Sequence, residues 1–335
     1  MPRPRPAENV TAHVEVTVPG PHGPRTLRVS NPDKLYFPER GLRKLDVVEY
    51  FLTVAPGVLE ATGDRPTTLE RWPGGVRPGA GDDVWRGASG SAFFQKRVPA
   101  NAPPWVSTVR VPAGAGRTAD QVRPTEPAVI GWAANLGTLA FHAYPVRATD
   151  LNHPDRLHID LDPQPGSSFG DVVRIAGELC SLLGELGATG FPKTSGGRGV
   201  HVLVPIEPRR PLGEVRRAAI AISRELQRRL PRLTTIAWLR RDRGRHVFID
   251  YNQSVGTIAS AYSVRATPAA TVSAPVHWAE LAEADPRDFH LGSMPARFRT
   301  VGDPHAGLDS HRCSLEPMLE MADRDDRDGV GGDLP

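Results

Sequence analysis

The alternation of apolar and polar residues is clearest in the second half of the chain. It predicts a strand over 157–161, which Pro163 ends. A helical stripe follows, with Ser167 or Ser168 as its cap and Gly187 at its end. Alternation predicts three more strands, at 188–193, 200–204 and 247–251, and helical spacing predicts a second helix at 212–230. The order strand, helix, strand, strand, helix, strand is that of a ferredoxin-like or RRM-like βαββαβ core, in the α/β (α+β) class.

The first half carries weaker signals. Alternation over 14–18 predicts an edge strand within a Pro- and Gly-rich start. Apolar spacing predicts helices at 46–59, with Asp46 as the cap, and at 128–139, while 73–90 is a Gly-rich loop. This half is expected to form an N-terminal α/β subdomain beside the core.

Composition narrows the class of protein. No apolar run approaches the roughly 18 residues that span a bilayer, and no apolar stretch follows the Arg- and Pro-rich start, so we expect a cytoplasmic protein without a membrane segment. Cys180 and Cys313 are too few for a disulfide framework or a Cys-rich zinc site, and we expect them to pack in the fold. The net charge of +3 permits a polyanionic partner without requiring one.

The predicted core would gather acidic side chains on one surface. Such a fold normally places its first strand between the third and the fourth. Since side chains alternate along a strand, Leu157, Ile159 and Leu161 would face the helices. The opposite, open face would then carry side chains from three adjacent strands: His158, Asp160, Asp162, His201 and Asp250.

Three carboxylates this close repel one another unless cations lie between them. Asp160, Asp162 and Asp250 offer hard oxygen ligands on a rigid sheet, which suit Mg²⁺ or Mn²⁺. Two such ions can clamp the attacking and the leaving oxygen of a phosphoryl transfer. The alternative is an exposed acidic strand face. A second Asp-x-Asp, at 323–325, falls in a polar tail where solvated charge is the better interpretation.

The segment 195–199 (SGGRG) precedes the strand that carries His201. Its glycines make backbone N–H groups accessible, and Ser195, Arg198 and His201 add a hydroxyl, a guanidinium and an imidazole, which together suit a triphosphate. It lacks the Gly-Lys-Ser/Thr of a P-loop, and such a segment taken alone is more often a simple turn. Lys193 could add charge there or face solvent at a strand end.

Two further groups suit nucleic acid. Phe93 and Phe94, with Lys96, could stack on bases and contact phosphate, although two core phenylalanines are an equally good interpretation. Lys34 and Lys44 flank the start of the first helix and could hold a terminal phosphate, or be solvated surface residues. Lysine occurs at only four positions, which singles these out as sites that need a compact ammonium: 34, 44, 96 and 193.

Taken together, these motifs resemble the polymerase domain of bacterial DNA ligase D, a branch of the archaeo-eukaryotic primase superfamily. The resemblance runs from about Val29 to the C-terminal tail, and 257–265 and 302–306 are more similar to stand-alone actinobacterial versions that act beside separate ligases. The motifs that carry it are 31–34 (NPDK), 69–73 (LERWP), 93–96 (FFQK), 134–137 (ANLG), 159–163 (IDLDP), 195–202 (SGGRGVHV) and 249–251 (IDY).

The resemblance implies template-directed nucleotidyl transfer, with two metal ions, manganese preferred over magnesium. It assigns metal binding and catalysis to the three aspartates already named. It implies that Ser195, Arg198, His201 and Arg265 grip the incoming NTP or dNTP, that Lys34 and Lys44 hold a downstream 5′-phosphate, and that Phe93 and Phe94 stack on the template. Further candidate site residues are Lys193, Lys96, His142 and Arg71.

The chain departs from the family pattern after Asp250, where 251–256 is short and lacks an arginine often found there. The loop 73–90 is longer than in ligase-fused relatives, and we treat it as a candidate DNA contact. We expect a flexible extension (1–25), one catalytic domain (26–300, with a DNA-binding part at 26–150 and the core at 151–300) and a tail (301–335).

The function implied is a monomeric, nucleoid-associated polymerase that fills short gaps or processes broken DNA ends, with possible primase activity. An ATP-dependent DNA ligase and Ku are the expected protein partners. Two alternatives use the same residues differently. A metal-dependent phosphodiesterase or nuclease would use the aspartates with water as nucleophile, and a non-catalytic DNA-end-binding module would need the lysines and not Asp160.

Overall fold

The computed structural model describes residues 12–77, 92–114, 116–254 and 256–330. The strands β1 to β15 are, in order, His13–Val18, Arg25–Ser30, Leu35–Phe37, Leu42–Arg43, Thr67–Arg71, Phe93–Gln95, Thr108–Pro112, Thr118–Val122, Thr138–Ala143, Arg156–Pro163, Phe191–Thr194, Val200–Pro205, Thr234–Thr235, Val247–Asp250 and Ile258–Ala259. The helices α1 to α8 are Lys44–Thr53, Ala55–Thr62, Pro127–Asn135, Phe169–Glu185, Leu212–Arg229, Trp278–Leu281, Met294–Val301 and Glu316–Arg327. Short 3-10 turns lie at Pro38–Arg40, Arg240–Asp242, Tyr251–Ser254, Pro286–Asp288 and Leu308–His311.

The C-terminal sheet has the strand order β11-β12-β10-β14-β13. Its central strand, β10, is antiparallel to both β12 and β14, so the predicted βαββαβ order and the central position of the first strand are confirmed. The two-residue strand β13 pairs parallel with β14 and is an addition that the sequence pattern did not indicate.

Helices α4 and α5 cover one face of this sheet. Ser168 caps α4, since its hydroxyl accepts a hydrogen bond from the Asp171 backbone N–H at 3.1 Å. Leu157, Ile159 and Leu161 are buried, as predicted, and α4 and α5 both contact β10, which carries them. Burying these apolar side chains removes them from water and fixes which face of β10 carries its polar residues.

The N-terminal sheet has the order β15-β9-β5-β8-β7, and β6 pairs with the outer part of β5. Helix α3 packs against α1, α2 and β9. The cores of the two sheets are continuous, because one cluster of buried apolar residues runs from Val18 to Ala322. The two sheets therefore hold each other in a fixed position around the polar face of β10.

Two predicted helices differ from those observed. The helix predicted at 46–59 is two helices, α1 and α2, because the chain breaks at Val54 before a proline in the first turn of α2. Asp46 lies in the first turn of α1, where its carboxylate accepts the Arg43 backbone N–H at 2.6 Å. The helix predicted to reach residue 139 ends at Asn135, since Gly137, with φ of 87°, turns the chain into β9.

The C-terminal segment is more ordered than the predicted tail. Helix α8 packs against α5, with Met318 fully buried. Asp325, which we expected to be solvated, is 1% exposed and accepts a hydrogen bond from Arg228 at 3.0 Å. The expectation was wrong for Asp325, because the apolar stripe of α8 draws this carboxylate toward α5, whereas Asp323 is exposed.

The expectations drawn from composition can be compared with this fold. Cys180 and Cys313 are free and half-buried, and Cys313 packs against the core. In the described part of the chain, no helix combines the length and apolar character needed to cross a membrane.

The domain boundaries stay a prediction. Strand β1 lies within the extension predicted at 1–25, and residues 1–11 lie outside the described residues.

Candidate active site

The three predicted aspartates lie together where β10 meets its neighbours. Asp160 is directly opposite Asp250 on β14 and directly opposite His201 on β12, and Asp162 follows two residues later on the same face. Directly opposed residues on antiparallel strands bring their Cβ atoms to about 5 Å. We call Asp160, Asp162 and Asp250 the acid cluster.

The carboxyl groups of the acid cluster resist ionisation. Burial, together with the neighbouring carboxylates of Asp250 and Asp162, raises the pKa of Asp160 to about 8. Burial also raises the pKa of Asp250, although hydrogen bonds from residues 252 and 253 oppose the shift. A divalent cation at this position would remove the repulsion and restore the ionised forms.

Each of these carboxylates points to a donor of its own. Asp162 accepts from Gln164 Nε2 at 3.0 Å, Asp250 accepts from the Asn252 backbone N–H at 3.0 Å, and Asp160 lies 3.5 Å from His201 Nε2. Accordingly, the described residues contain no ready-made group of three or more acidic, His or Cys side chains that could hold a metal ion. The donor set still fits Mg²⁺ or Mn²⁺ in its chemistry, because all three groups are hard carboxylates on adjacent strands.

We had expected the face of the sheet that carries the acid cluster to be open, but other segments cover part of it. His158 and His201 are 4% and 6% exposed, because β15 and the segment around Ser273 cover this part of the sheet. Burial, followed by nearby positive charge, lowers the pKa of His158 to about 3 and that of His201 well below its usual value. Both rings are therefore neutral at physiological pH.

Lys193 is also buried, with no exposed surface. Its ammonium contacts His201 Nδ1, the Ala259 carbonyl and Ser273 Oγ. The assignment of Lys193 to nucleotide binding stays a prediction, and strand β11 places its side chain behind His201 and away from solvent. The sequence could not distinguish these positions, since β11 is short and the cover comes from residues about 65 to 80 positions later.

The segment 195–199 forms a tight turn at the end of β11. Ser195 Oγ accepts the backbone N–H groups of Gly197 and Gly199, each at 3.1 Å, which closes the turn on itself. Gly196 has φ of 74°, and a Cβ there would lie 2.6 Å from Arg265 Cγ. Glycine is therefore required at position 196 for both its backbone conformation and the close approach of Arg265.

A cleft joins this turn to the acid cluster. Asp162, Ser195, Arg198 and Arg265 all line it, which brings predicted residues from three separate motifs to one space. Arg265 lies close enough to lower the pKa of Asp160 and of Glu70. The remaining lining residues are Glu70, Trp72, Gly196, Gly197, Gly199, Ala266 and Thr267.

Glu70 is a site residue that our sequence interpretation missed. Its carboxylate contacts His142 Nε2 at 2.9 Å and accepts a hydrogen bond from Trp72 Nε1 at 3.0 Å. Burial alone would raise the pKa of Glu70, but these two contacts hold it below its usual value. The available signal was a charged residue inside the 69–73 motif. Glu70 fixes His142, a predicted site residue, at the edge of the cleft.

A second cluster has the opposite charge. Lys34, Lys44 and Arg71 lie near one another. Burial, followed by the positive charges of Lys34 and Arg71, lowers the pKa of Lys44 to about 8. Lys34 Nζ donates to the Pro73 carbonyl at 2.6 Å, and Lys44 Nζ donates to the Ser30 carbonyl at 2.7 Å. Lys44 is the first residue of α1, whose N-terminal N–H groups also favour an anion. We call Lys34, Lys44 and Arg71 the lysine cluster.

Strand β6 presents aromatic surface beside the lysine cluster. Phe93 and Phe94 are each 43% exposed, which rules out two core phenylalanines, and Lys96 is exposed just beyond them. The Arg71 guanidinium lies 5.1 Å from the centre of the Phe93 ring, and Phe94 packs edge-on to His142. The predicted loop 73–90 adjoins this strand, and its residues from 78 onward lie outside the described residues.

Two polar side chains, Gln253 in the short segment after Asp250 and Arg243 before β14, act on the acid cluster. Gln253 Nε2 lies 3.4 Å from Asp250, and Arg243, from the loop before β14, acts electrostatically on both Asp162 and Asp250. Sequence reasoning missed Arg243 because it lies outside any regular element, among several other arginines. Its guanidinium lies over the Phe248 ring at 3.4 Å, a contact that fixes it near the acid cluster.

Comparison with known proteins identifies similar chains. A family model described as LigD, primase-polymerase domain, matches residues 43–305. The multifunctional non-homologous end joining protein LigD of Mycolicibacterium smegmatis is 29% identical over 85% of this chain and 36% of its own length, and that of Pseudomonas aeruginosa is 31% identical over 88% and 34%. The chain thus spans about a third of these relatives. The solved polymerase domain of Mycobacterium tuberculosis ligase D, in complex with DNA, matches with a TM-score of 0.74 and 28% identity, over 86% of this chain and 99% of that chain.

Proposed function

The chain belongs to the LigD primase-polymerase family, and from that premise we propose that it is a template-directed polymerase that adds NTPs or dNTPs to a DNA primer. Its mixed α/β (α+β) fold is of the archaeo-eukaryotic primase type, as the sequence motifs predicted. We propose gap filling and end processing in DNA repair as its task, with primase activity as an additional capacity.

One observation carries this proposal more than any other. A single cleft is lined both by Asp162 of the acid cluster and by the turn and arginines suited to a triphosphate. A phosphodiesterase needs the carboxylates alone, because water is its nucleophile. A DNA-end-binding module needs neither. Only nucleotidyl transfer requires both halves of the cleft.

In this proposal Asp160, Asp162 and Asp250 hold two divalent ions, with Mn²⁺ preferred over Mg²⁺. When bound, such ions supply charge neutralisation at the primer hydroxyl and at the triphosphate. The repulsion that raises the pKa of Asp160 supports this assignment, because it identifies a carboxylate whose charge the protein does not compensate.

The residues of the chain itself grip and orient the triphosphate. The N–H groups of Ser195, Gly197 and Gly199 bond within the turn, so those of Gly196 and Arg198 are the ones offered to a phosphate. The guanidinium groups of Arg198 and Arg265 line the same cleft and add further donors. His201 is neutral and buried beside Asp160, where a ring N–H can donate to a phosphate oxygen. These fixed donors would hold the α-phosphate in line with the primer 3′-hydroxyl.

DNA is the proposed macromolecular partner, and the lysine cluster is where we place a 5′-phosphate at a gap or break. Three cations with no carboxylate partner among their described contacts favour a dianionic phosphate. The exposed rings of Phe93 and Phe94 would stack on the template strand, with Lys96 on its backbone. An ATP-dependent ligase and Ku remain the proposed protein partners, on nucleoid DNA.

Nucleotide incorporation separates the three functions. Wild type, Asp160→Ala, and Lys34→Met with Lys44→Met are compared on primed, gapped and unprimed templates with Mn²⁺ or Mg²⁺ and with ribo- or deoxyribonucleotides. We expect extension by wild type and a loss of about a thousandfold or more in Asp160→Ala, with DNA binding retained. Shortening of the primer without extension would indicate a nuclease. DNA binding with neither reaction would indicate an end-binding module.

A further inference from the structure

Lys193 makes three short polar contacts in a fully buried position. Its Nζ lies 2.6 Å from His201 Nδ1, 2.8 Å from the Ala259 carbonyl oxygen and 2.6 Å from Ser273 Oγ. A lysine with no exposed surface is uncommon unless it is fully paired. Because these contacts enclose its ammonium, we expect the role of Lys193 to be exerted through one of them.

Counting protons assigns each contact a direction. The Ser273 hydroxyl donates to the Thr194 carbonyl at 2.8 Å, so Ser273 Oγ can only accept from Lys193. The Ala259 carbonyl is also an acceptor. Burial lowers the pKa of Lys193 to about 7, although Asp160 opposes the shift. Below that pH the group is an ammonium with three donors and no lone pair, so with two protons committed the third points at His201 Nδ1.

This arrangement determines the form of the His201 ring. Because Nδ1 accepts a hydrogen bond from Lys193, the proton of the neutral ring resides on Nε2. That nitrogen lies 3.5 Å from Asp160 Oδ1, a hydrogen-bond acceptor. The opposite tautomer would present an Nε2 lone pair at the same place, which would repel a phosphate oxygen and offer a nitrogen ligand to a metal ion.

We propose that Lys193 is a positioning residue that holds His201 as the Nε2–H tautomer, so that His201 acts as a hydrogen-bond donor to the triphosphate and not as a metal ligand. The tautomer follows from these contacts when Lys193 is an ammonium, so it is measured below pH 7. Its use in gripping a triphosphate rests on the proposed polymerase function.

The tautomer can be observed directly. Long-range ¹H–¹⁵N correlation spectra of the whole protein, without metal, nucleotide or DNA, distinguish the two tautomers and the charged ring by their nitrogen shifts, and His201→Gln assigns the signals. We expect Nε2–H in wild type, loss of that form in Lys193→Met, and its retention in Thr194→Val. Thr194→Val is the matched control, because it removes a buried hydrogen bond from the next position of β11 without touching His201.

Two results would overturn the proposal: an Nδ1–H or charged His201 ring in wild type, or an unchanged ring in Lys193→Met. If Lys193→Met fails to fold, the wild-type spectrum still decides, because an Nδ1–H ring there contradicts the proposal without any variant. None of these NMR results requires the protein to be a polymerase. Failure of this test can therefore be distinguished from failure of the incorporation assay.

Kinetics then test the use of the tautomer. If incorporation is observed, Lys193→Met should raise the KM for the nucleotide about tenfold with a smaller change in kcat, as expected for one lost charge-assisted hydrogen bond. In a His201→Ala background the same substitution should add almost nothing, because its effect passes through His201. Equal effects of Lys193→Met in both backgrounds would indicate a merely structural lysine.

Discussion

Two regions of the molecule gather like charges, with opposite signs. The acid cluster places three carboxylates on adjacent strands, and the pKa of Asp160 rises to about 8. The lysine cluster places Lys34, Lys44 and Arg71 together, and the pKa of Lys44 falls to about 8. In both regions burial and repulsion oppose the charged form. Such an arrangement costs folding stability, so its retention points to a ligand of opposite charge.

The ion-pair network around Asp155 is the useful contrast. Asp155 is more buried than any member of either cluster, yet Arg65 Nη1 lies 2.6 Å and Arg147 Nε 2.7 Å from its oxygens. Burial alone would raise the pKa of Asp155, but these arginines hold it at about 2. The charge of Asp155 is matched within the protein, so this carboxylate needs no cation. A buried charge alone therefore does not indicate a ligand site, whereas a buried charge without a partner of opposite sign does.

The largest effect is expected where charges are matched. Asp155→Asn should lower the free energy of unfolding by about 3–5 kcal/mol, because it leaves buried arginines without their partner. Urea unfolding measures this. Since the pKa of Asp155 is lowered in the folded state, its stabilisation is present above the unfolded value of about 4 and is lost as pH falls toward 2, so wild type and variant should converge in acid.

Activity per folded molecule should be almost unchanged in Asp155→Asn, because this network does not line the cleft. A variant of normal stability that has lost incorporation would break the distinction between matched and unmatched charge.

The next effect concerns the lysine cluster. Lys44→Met should weaken binding to gapped DNA with a 5′-phosphate about tenfold, and should reduce the slope of log affinity against log salt by about 0.9. Fluorescence anisotropy with phosphorylated and unphosphorylated gaps measures both. The matched control is Lys96→Met, since Lys96 is exposed beyond the cluster and should contribute equally to both DNAs. Equal affinity of the wild type for the two DNAs would contradict the assignment.

A smaller effect follows from pH. The pKa of Lys44 is about 8 in the free protein, and a bound phosphate would raise it, so binding takes up a proton above pH 8. The preference for a 5′-phosphate should therefore fall as pH rises from 7 to 9, by up to about tenfold. In Lys44→Met the preference should not change over this range. A preference that is independent of pH in the wild type would show that Lys44 keeps its proton without the phosphate.

How much of this could be predicted from the sequence depended on distance along the chain. The acid cluster followed from alternation on β10 and the strand order, so Asp160, Asp162 and Asp250 were predicted together. The lysine cluster was indicated by the rarity of lysine. The position of Lys193 could not be predicted, because Ala259 and Ser273 cover it from distant segments. Glu70 was missed for the same reason, since its partner His142 lies on another strand.

The smallest effect is a gain in stability from removing a site residue. Asp160→Asn should stabilise the metal-free protein by about 1 kcal/mol or more at pH 7, because folding of the wild type must hold a proton on Asp160, whereas the amide needs none. The pKa of Asp160 is raised in the folded state, so ionisation of this group in the unfolded chain favours unfolding increasingly as pH rises from 4 to 8, and the gain should grow over the same interval. Thermal unfolding with EDTA measures it. Added Mn²⁺ should reverse the order, since binding stabilises the wild type alone. If Asp160→Asn is less stable than wild type in EDTA at every pH, the carboxylate is structurally required, and the contrast between matched and unmatched charge fails at the position that matters most.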